Sequence, residues 1–69
     1  MKKIKITANG KQFEISEGKT ISEFAKDMGL NPKRCVVELN KKALKFSEFE
    51  NLKLNGGDIL EILNLVAGG

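Results

Sequence analysis

The sequence predicts an α+β domain in which a single sheet carries one helix across one face. Two alternating stretches flank an Asn-Gly turn near the start. One capped amphipathic helix follows, and an apolar strand comes last. One helix cannot cover two sheets, so a two-layer arrangement is the simplest that buries every apolar face. Sixty-nine residues make one domain. A chain this short buries only roughly 60% of the surface it exposes when unfolded, so its core has to be compact.

Lys3-Ile4-Lys5-Ile6-Thr7 alternates polar with apolar, as a strand buried on one face does. Asn9-Gly10 is the strongest short hairpin signal, because both residues tolerate positive φ. Gln12-Phe13-Glu14-Ile15-Ser16 alternates again, so Ile4, Ile6, Phe13 and Ile15 share one face. After the Glu17-Gly18-Lys19 turn, Thr20 and Glu23 stand at capping-box spacing. Ile21, Phe24, Ala25 and Met28 recur at i, i+3, i+4 and i+7 and form one apolar stripe, which is expected to be core. Gly29 and then Asn31-Pro32 stop the helix.

Cys35-Val36-Val37-Glu38-Leu39 is rich in strand formers. Asn40-Lys41-Lys42 reads as a turn and Ala43-Leu44-Lys45-Phe46 as a short strand. Ser47 is the expected cap of a single helical turn through Glu50, and Leu52-Lys53-Leu54 is brief and extended. Asn55-Gly56-Gly57-Asp58 makes a tight turn into a strand from Ile59 to Leu65. In that strand Leu60 and Ile62 fall on one side, and Ile59, Leu63 and Leu65 on the other. Apolar residues of both parities mark a central strand with a second, partly exposed hydrophobic face, fit for docking.

Composition narrows the function. The chain is 41% hydrophobic and 30% charged, as soluble globular proteins are. No apolar run approaches the roughly 18 residues of a spanning helix, so a cytoplasmic protein without membrane contact is expected. Net charge is +3, but the lysines are scattered in short pairs, and nucleic-acid binding would need a denser stripe. Histidine is absent and Cys35 is the single cysteine. That removes the usual general base, a disulfide and a zinc cluster, leaving no nucleophile–base pair from which to build an enzyme. Cys35 lies in an expected strand and reads as a buried, inert thiol. Asp58 reads as a turn former and Glu61 as an exposed strand residue.

The stretch Gly57-Asp58-Ile59-Leu60-Glu61-Ile62 runs on into Val66-Ala67-Gly68-Gly69, where the sequence ends. The terminal carboxylate of Gly69 is the expected working group. This ending, with Asn9-Gly10-Lys11, Gly18-Lys19-Thr20-Ile21 and Val36-Val37-Glu38-Leu39-Asn40, resembles the ubiquitin-like β-grasp fold. More closely, it resembles the ThiS family of sulfur carriers, over nearly the whole chain. Asn40-Lys41-Lys42 departs from the family, which places glycine or an acidic residue after the asparagine. Leu63-Asn64-Leu65 departs where histidine or an aromatic is frequent.

The resemblance implies a mixed sheet of four to five strands, with the first and last strands side by side at its centre. It implies a domain over residues 1–66 and a tail over 67–69. A ThiF-like adenylating enzyme using ATP and magnesium would convert the Gly69 carboxylate into an acyl-adenylate. A cysteine desulfurase or other persulfide donor would then supply sulfur, and the resulting thiocarboxylate would serve a ThiG-like thiazole synthase in thiamin biosynthesis. The chain itself would bind no cofactor and no metal. Gly68 and Gly69 lack a Cβ and would thread a narrow channel. Leu63, Leu65, Val66 and Ala67 would form the surface that partners grip. Three other readings stay open: a MoaD-like carrier for molybdopterin synthesis, a ubiquitin-like modifier of lysines, and a binding module with an unused tail.

Overall fold

The computed structural model describes residues 2–65. Five strands and one helix follow the chain as β1 (Lys3–Ala8), β2 (Lys11–Ser16), α1 (Ile21–Asp27), β3 (Cys35–Leu39), β4 (Lys42–Ala43) and β5 (Ile59–Asn64). The strands form one sheet in the order β2-β1-β5-β3-β4. β1 and β5 run parallel at its centre, and the other neighbours are antiparallel. This is the mixed sheet with one helix that the β-grasp resemblance implies. Among the described residues no helix is long and apolar enough to cross a membrane.

The hairpin β1–β2 turns at Asn9 and Gly10, with φ of 50° and 80°. Its register sets Ile4 opposite Ile15 and Ile6 opposite Phe13, so the four share the face that α1 covers. The helix itself is only seven residues long, too short to persist alone in water. Its ends are fully accounted for. Thr20 caps the start and accepts a hydrogen bond from the Glu23 amide at 3.1 Å. The Glu23 carboxylate in return accepts one from the Thr20 amide at 2.9 Å. The free amides of Ile21 and Ser22 donate to the carbonyls of Leu52 and Phe49, so the loop beneath the helix satisfies what the helix cannot. At the other end Leu30 N–H reaches the Ala25 carbonyl and Gly29 N–H the Lys26 carbonyl, both at 2.9 Å. That paired closure needs positive φ at Gly29, which is +80°.

Ile21, Phe24 and Ala25 are buried, as their spacing requires, with Met28 packed at the rim. They meet Ile6, Ala8, Ile15, Val37, Leu60 and Ile62 from the sheet. Phe13 and Phe24 pack edge to face, with centroids 5.4 Å apart.

Three boundaries differ from expectation. β4 is only Lys42–Ala43: positive φ at Asn40 and Lys41 makes a tight two-residue turn, and the return strand pairs at Leu39–Lys42 and Glu38–Ala43 before it departs. The helical turn after it spans Phe46–Glu48, and Ser47 does not cap it. The cap position is Lys45, two residues earlier, and its amide donates to the Glu48 carboxylate at 2.8 Å. This shift aims Phe49 inward, where it is among the most buried side chains and stacks edge to face on Phe46. Finally, β5 ends at Asn64, although the Leu65 amide still donates to the Arg34 carbonyl at 2.6 Å.

Candidate functional site

The face of the sheet opposite α1 is uncovered. Side chains alternate along β5, so burial of Leu60 and Ile62 forces Ile59, Glu61 and Leu63 outward. Ile59, Leu63 and Leu65 are 56%, 63% and 56% exposed, which removes them from the core. Val36 stands opposite Leu63 on β3 and is 46% exposed. Val36, Leu63 and Leu65 put apolar side chains on the open face, and Ile59 adds another beyond Glu61 on the same side of β5. Sequence reasoning named Leu63 and Leu65 for this surface but missed Val36. The signal was there: Val36 and Val37 are adjacent and both apolar, so one of them had to face out. Of the other expected site residues, Val66, Ala67, Gly68 and Gly69 lie outside the described residues.

Two asparagines fix β5 in place. β1 stops pairing where the chain turns at Asn9. The Asn9 side chain then takes over as if it were the next peptide group, with Oδ1 accepting the Ile62 amide at 2.8 Å and Nδ2 donating to the Ile62 carbonyl at 3.1 Å. Across the sheet, Asn40 holds the start of β5 with backbone and side chain together: its backbone N–H donates to the Ile59 carbonyl at 2.7 Å and its Oδ1 accepts the Ile59 amide at 2.9 Å. Asn40 Nδ2 also donates to Asp58 Oδ1 at 3.1 Å, and Asp58 Oδ2 accepts the Asn55 amide at 2.7 Å. Asp58 thus closes the turn that aims β5, as a turn former would. A strand held on both sides in this way cannot slip by one residue, and one residue of slip would turn Leu63 inward.

Cys35 starts β3 on the helix side, opposite Asn64. It is buried, and its thiol lies 3.3 Å from the Asn31 carbonyl oxygen. Burial raises its pKa above the ordinary thiol value, so it is protonated at neutral pH and poorly nucleophilic. Among the described residues no group of three or more His, Cys, Asp or Glu side chains gathers into a metal site. A crevice between α1 and the β2 edge, lined in part by Phe13, Met28, Lys19 and Asp27, lies two strands away from β5. The Lys19–Asp27 ion pair lies at its wall.

Comparison with known proteins places this geometry. The family model described as the ThiS family matches residues 3–69. The chain is 38% identical over 53 residues to the sulfur carrier protein ThiS of Thermus thermophilus, covering 77% of this chain and 83% of that protein. Its fold superposes on the crystal structure of a thiamine biosynthesis protein, ThiS, from Geobacter metallireducens with a TM-score of 0.79 at 26% identity, over 96% of this chain and all of that one. It is also 27% identical over 66 residues to a thiazole synthase of Paramagnetospirillum magneticum, covering 96% of this chain but only 20% of that longer protein. A match from Lys3 to Gly69, together with the five-stranded sheet and its single helix, shows that the chain belongs to the ThiS family.

Proposed function

We propose that this protein carries sulfur on the Gly69 carboxylate for the thiazole of thiamin. The observation that carries the reading is the family match, which extends through Gly68 and Gly69. The name of the Thermus thermophilus relative supports sulfur carriage, and that of the Geobacter metallireducens protein supports the thiamin pathway.

The chemistry follows from what a carboxylate lacks. It is anionic at neutral pH and resists nucleophiles. A ThiF-like enzyme would let a Gly69 oxygen attack the α-phosphate of ATP, with magnesium on the phosphates and pyrophosphate leaving. The resulting acyl-adenylate has a good leaving group. A persulfide sulfur from a desulfurase attacks the acyl carbon and expels AMP. A thiol then cleaves the S–S bond and leaves a thiocarboxylate, the donor to a ThiG-like synthase. This chain supplies the acyl group and no acid, base or metal ligand. Gly68 and Gly69 leave the acyl carbon open on both sides. The exposed Val36, Ile59, Leu63 and Leu65 give partners apolar side chains to grip while the tail is in an active site.

Intact mass tests the reading. The chain is incubated with the adenylating enzyme, ATP, magnesium and a persulfide donor, beside a variant lacking Gly69. A mass gain equal to one oxygen-for-sulfur exchange, confined to the full chain, is expected. An unchanged mass with a demonstrably active partner would overturn it, and masses of lysine conjugates would favour a modifier instead.

A further inference from the structure

Two cross-strand pairs sit next to each other on the open face. Val36 faces Leu63, and two residues along the same strands Glu38 faces Glu61. The four line one shallow hollow and all four are exposed. Directly opposed side chains in such a pair have Cβ atoms about 4.5–5.5 Å apart, and like charges so placed destabilise the sheet. Among the described residues neither carboxylate is in an ion pair, and the position facing Glu38 on the β4 side is Ala43. The chain has 12 Lys and Arg against 9 Asp and Glu, so two opposed carboxylates at its sheet centre stand against the average charge.

Two carboxylates fall short of the roughly 6–8 oxygens that a calcium-like ion takes, so a metal is a poor occupant. A guanidinium or ammonium fits better. It offers several N–H donors, needs both acceptors, and has an apolar stem that matches the Val36–Leu63 pair. Covering that pair would exclude water beside the charges and strengthen the charge-assisted hydrogen bonds.

We propose that the hollow formed by Val36, Leu63, Glu38 and Glu61 docks a protein that sets an arginine or lysine between the two carboxylates while burying the apolar pair. The proposal rests on the carrier reading, and the partner assigned is the thiazole synthase. The choice is supported by the relative in which a segment like this chain forms one fifth of a protein named thiazole synthase, so the segment and the rest share one chain there. The anchor also suits the task. Glu61 and Leu65 are four residues apart on an extended strand, or about 14 Å. A grip at Glu61 therefore holds the domain well behind the tail and leaves the tail free to enter an active site.

The test is calorimetric titration of the full-length chain into purified thiazole synthase at low and at physiological salt. Wild type is compared with Leu63→Asp and with a Glu38→Gln, Glu61→Gln double variant, which removes both charges and keeps the shape. The double variant is expected to bind about tenfold more weakly or worse and to lose most of the salt dependence. Its thermal midpoint should match or exceed wild type, because the repulsion is gone. Leu63→Asp should weaken binding as well. Unchanged affinity in the double variant would overturn the proposal, and so would a lowered midpoint, which would assign the carboxylates to holding the sheet. Absence of wild-type binding would overturn it too. The carrier reading is then judged separately by the mass assay: a gained sulfur keeps it, and an unchanged mass removes it.

Discussion

Replacing Asn9 tests whether its side chain acts as an extra rung of the sheet. Two hydrogen bonds to Ile62, at 2.8 and 3.1 Å, are lost in Asn9→Gly, while the positive φ of 50° stays easy for glycine. Each such bond contributes about 0.5–1.5 kcal/mol, so the expected loss is about 2 kcal/mol. For a domain of this size that is a fall of about 8–16 °C in thermal midpoint. Asn9→Asp keeps the acceptor for the Ile62 amide but turns the donor into an acceptor facing a carbonyl, and should fall by an intermediate amount. Asn9→Ala adds about 1–2 kcal/mol for a Cβ in the left-handed region and should be the worst of the three. Circular dichroism melts give the midpoints. Hydrogen exchange at the Ile62 amide gives the local effect, which should appear as lost protection in Asn9→Gly. Midpoints within about 2 °C of wild type in both the Gly and Asp variants, with Ile62 protection retained, would refute the rung.

Other consequences follow from the same structure. Lys41 has φ of 72° with no left-handed preference, so Lys41→Gly should stabilise by about 1 kcal/mol in urea melts; a neutral or negative change would count against strain in that turn. Phe49→Ala removes one of the largest fully buried side chains and should cost about 3–5 kcal/mol, leaving little folded protein by circular dichroism at room temperature. The Glu23 carboxylate is held below its ordinary pKa of 4.5, first by the Thr20 amide and then by the Thr20 hydroxyl. A depressed folded pKa means stability that is complete above the ordinary value and is lost as pH falls through the folded one. The midpoint difference between wild type and Glu23→Gln should therefore shrink as pH drops below about 4.5, and a constant difference would contradict the cap. Cys35 should react with a thiol reagent at least about tenfold faster in urea than in the native protein, since burial both hides it and keeps it protonated. Equal rates would show that the thiol is accessible.

Much of the fold was legible because short-range chemistry agreed with long-range packing. Thr20 and Glu23 marked the helix start, Gly29 its end, and the alternation around Asn9-Gly10 the hairpin register. The two parities of β5 announced both the core and the open face, which put Leu63 and Leu65 where they lie. What was not legible depended on residues far apart in sequence. Asn9 looked like a turn residue and is one, but its contact with Ile62 spans 53 positions and no local pattern encodes it. The burial of Phe49 was hidden for a similar reason. Its neighbours Lys45 to Asn51 are polar or exposed for the most part, and only the helix lying over the loop makes an inward position there. Glu61 was visible only as an exposed strand residue, and Glu38 only as part of a strand, until the β3–β5 register brought them face to face.

The parallel pair at the centre has a mechanical consequence. β1 begins at Lys3 and β5 ends at Asn64, at opposite ends of the same two-strand seam. A pull on the C-terminal end against the body of the domain therefore slides β5 along β1 in shear. The seam is held by Gly57 N–H to Lys5 O, Thr7 N–H to Asp58 O and Asn9 N–H to Leu60 O, with the Asn9 side chain beyond them. In shear these bonds bear the load together, whereas an antiparallel hairpin pulled from its open end would unzip one at a time. Under the proposed carrier function, an enzyme drawing the tail into its active site would tug on this domain without unravelling it.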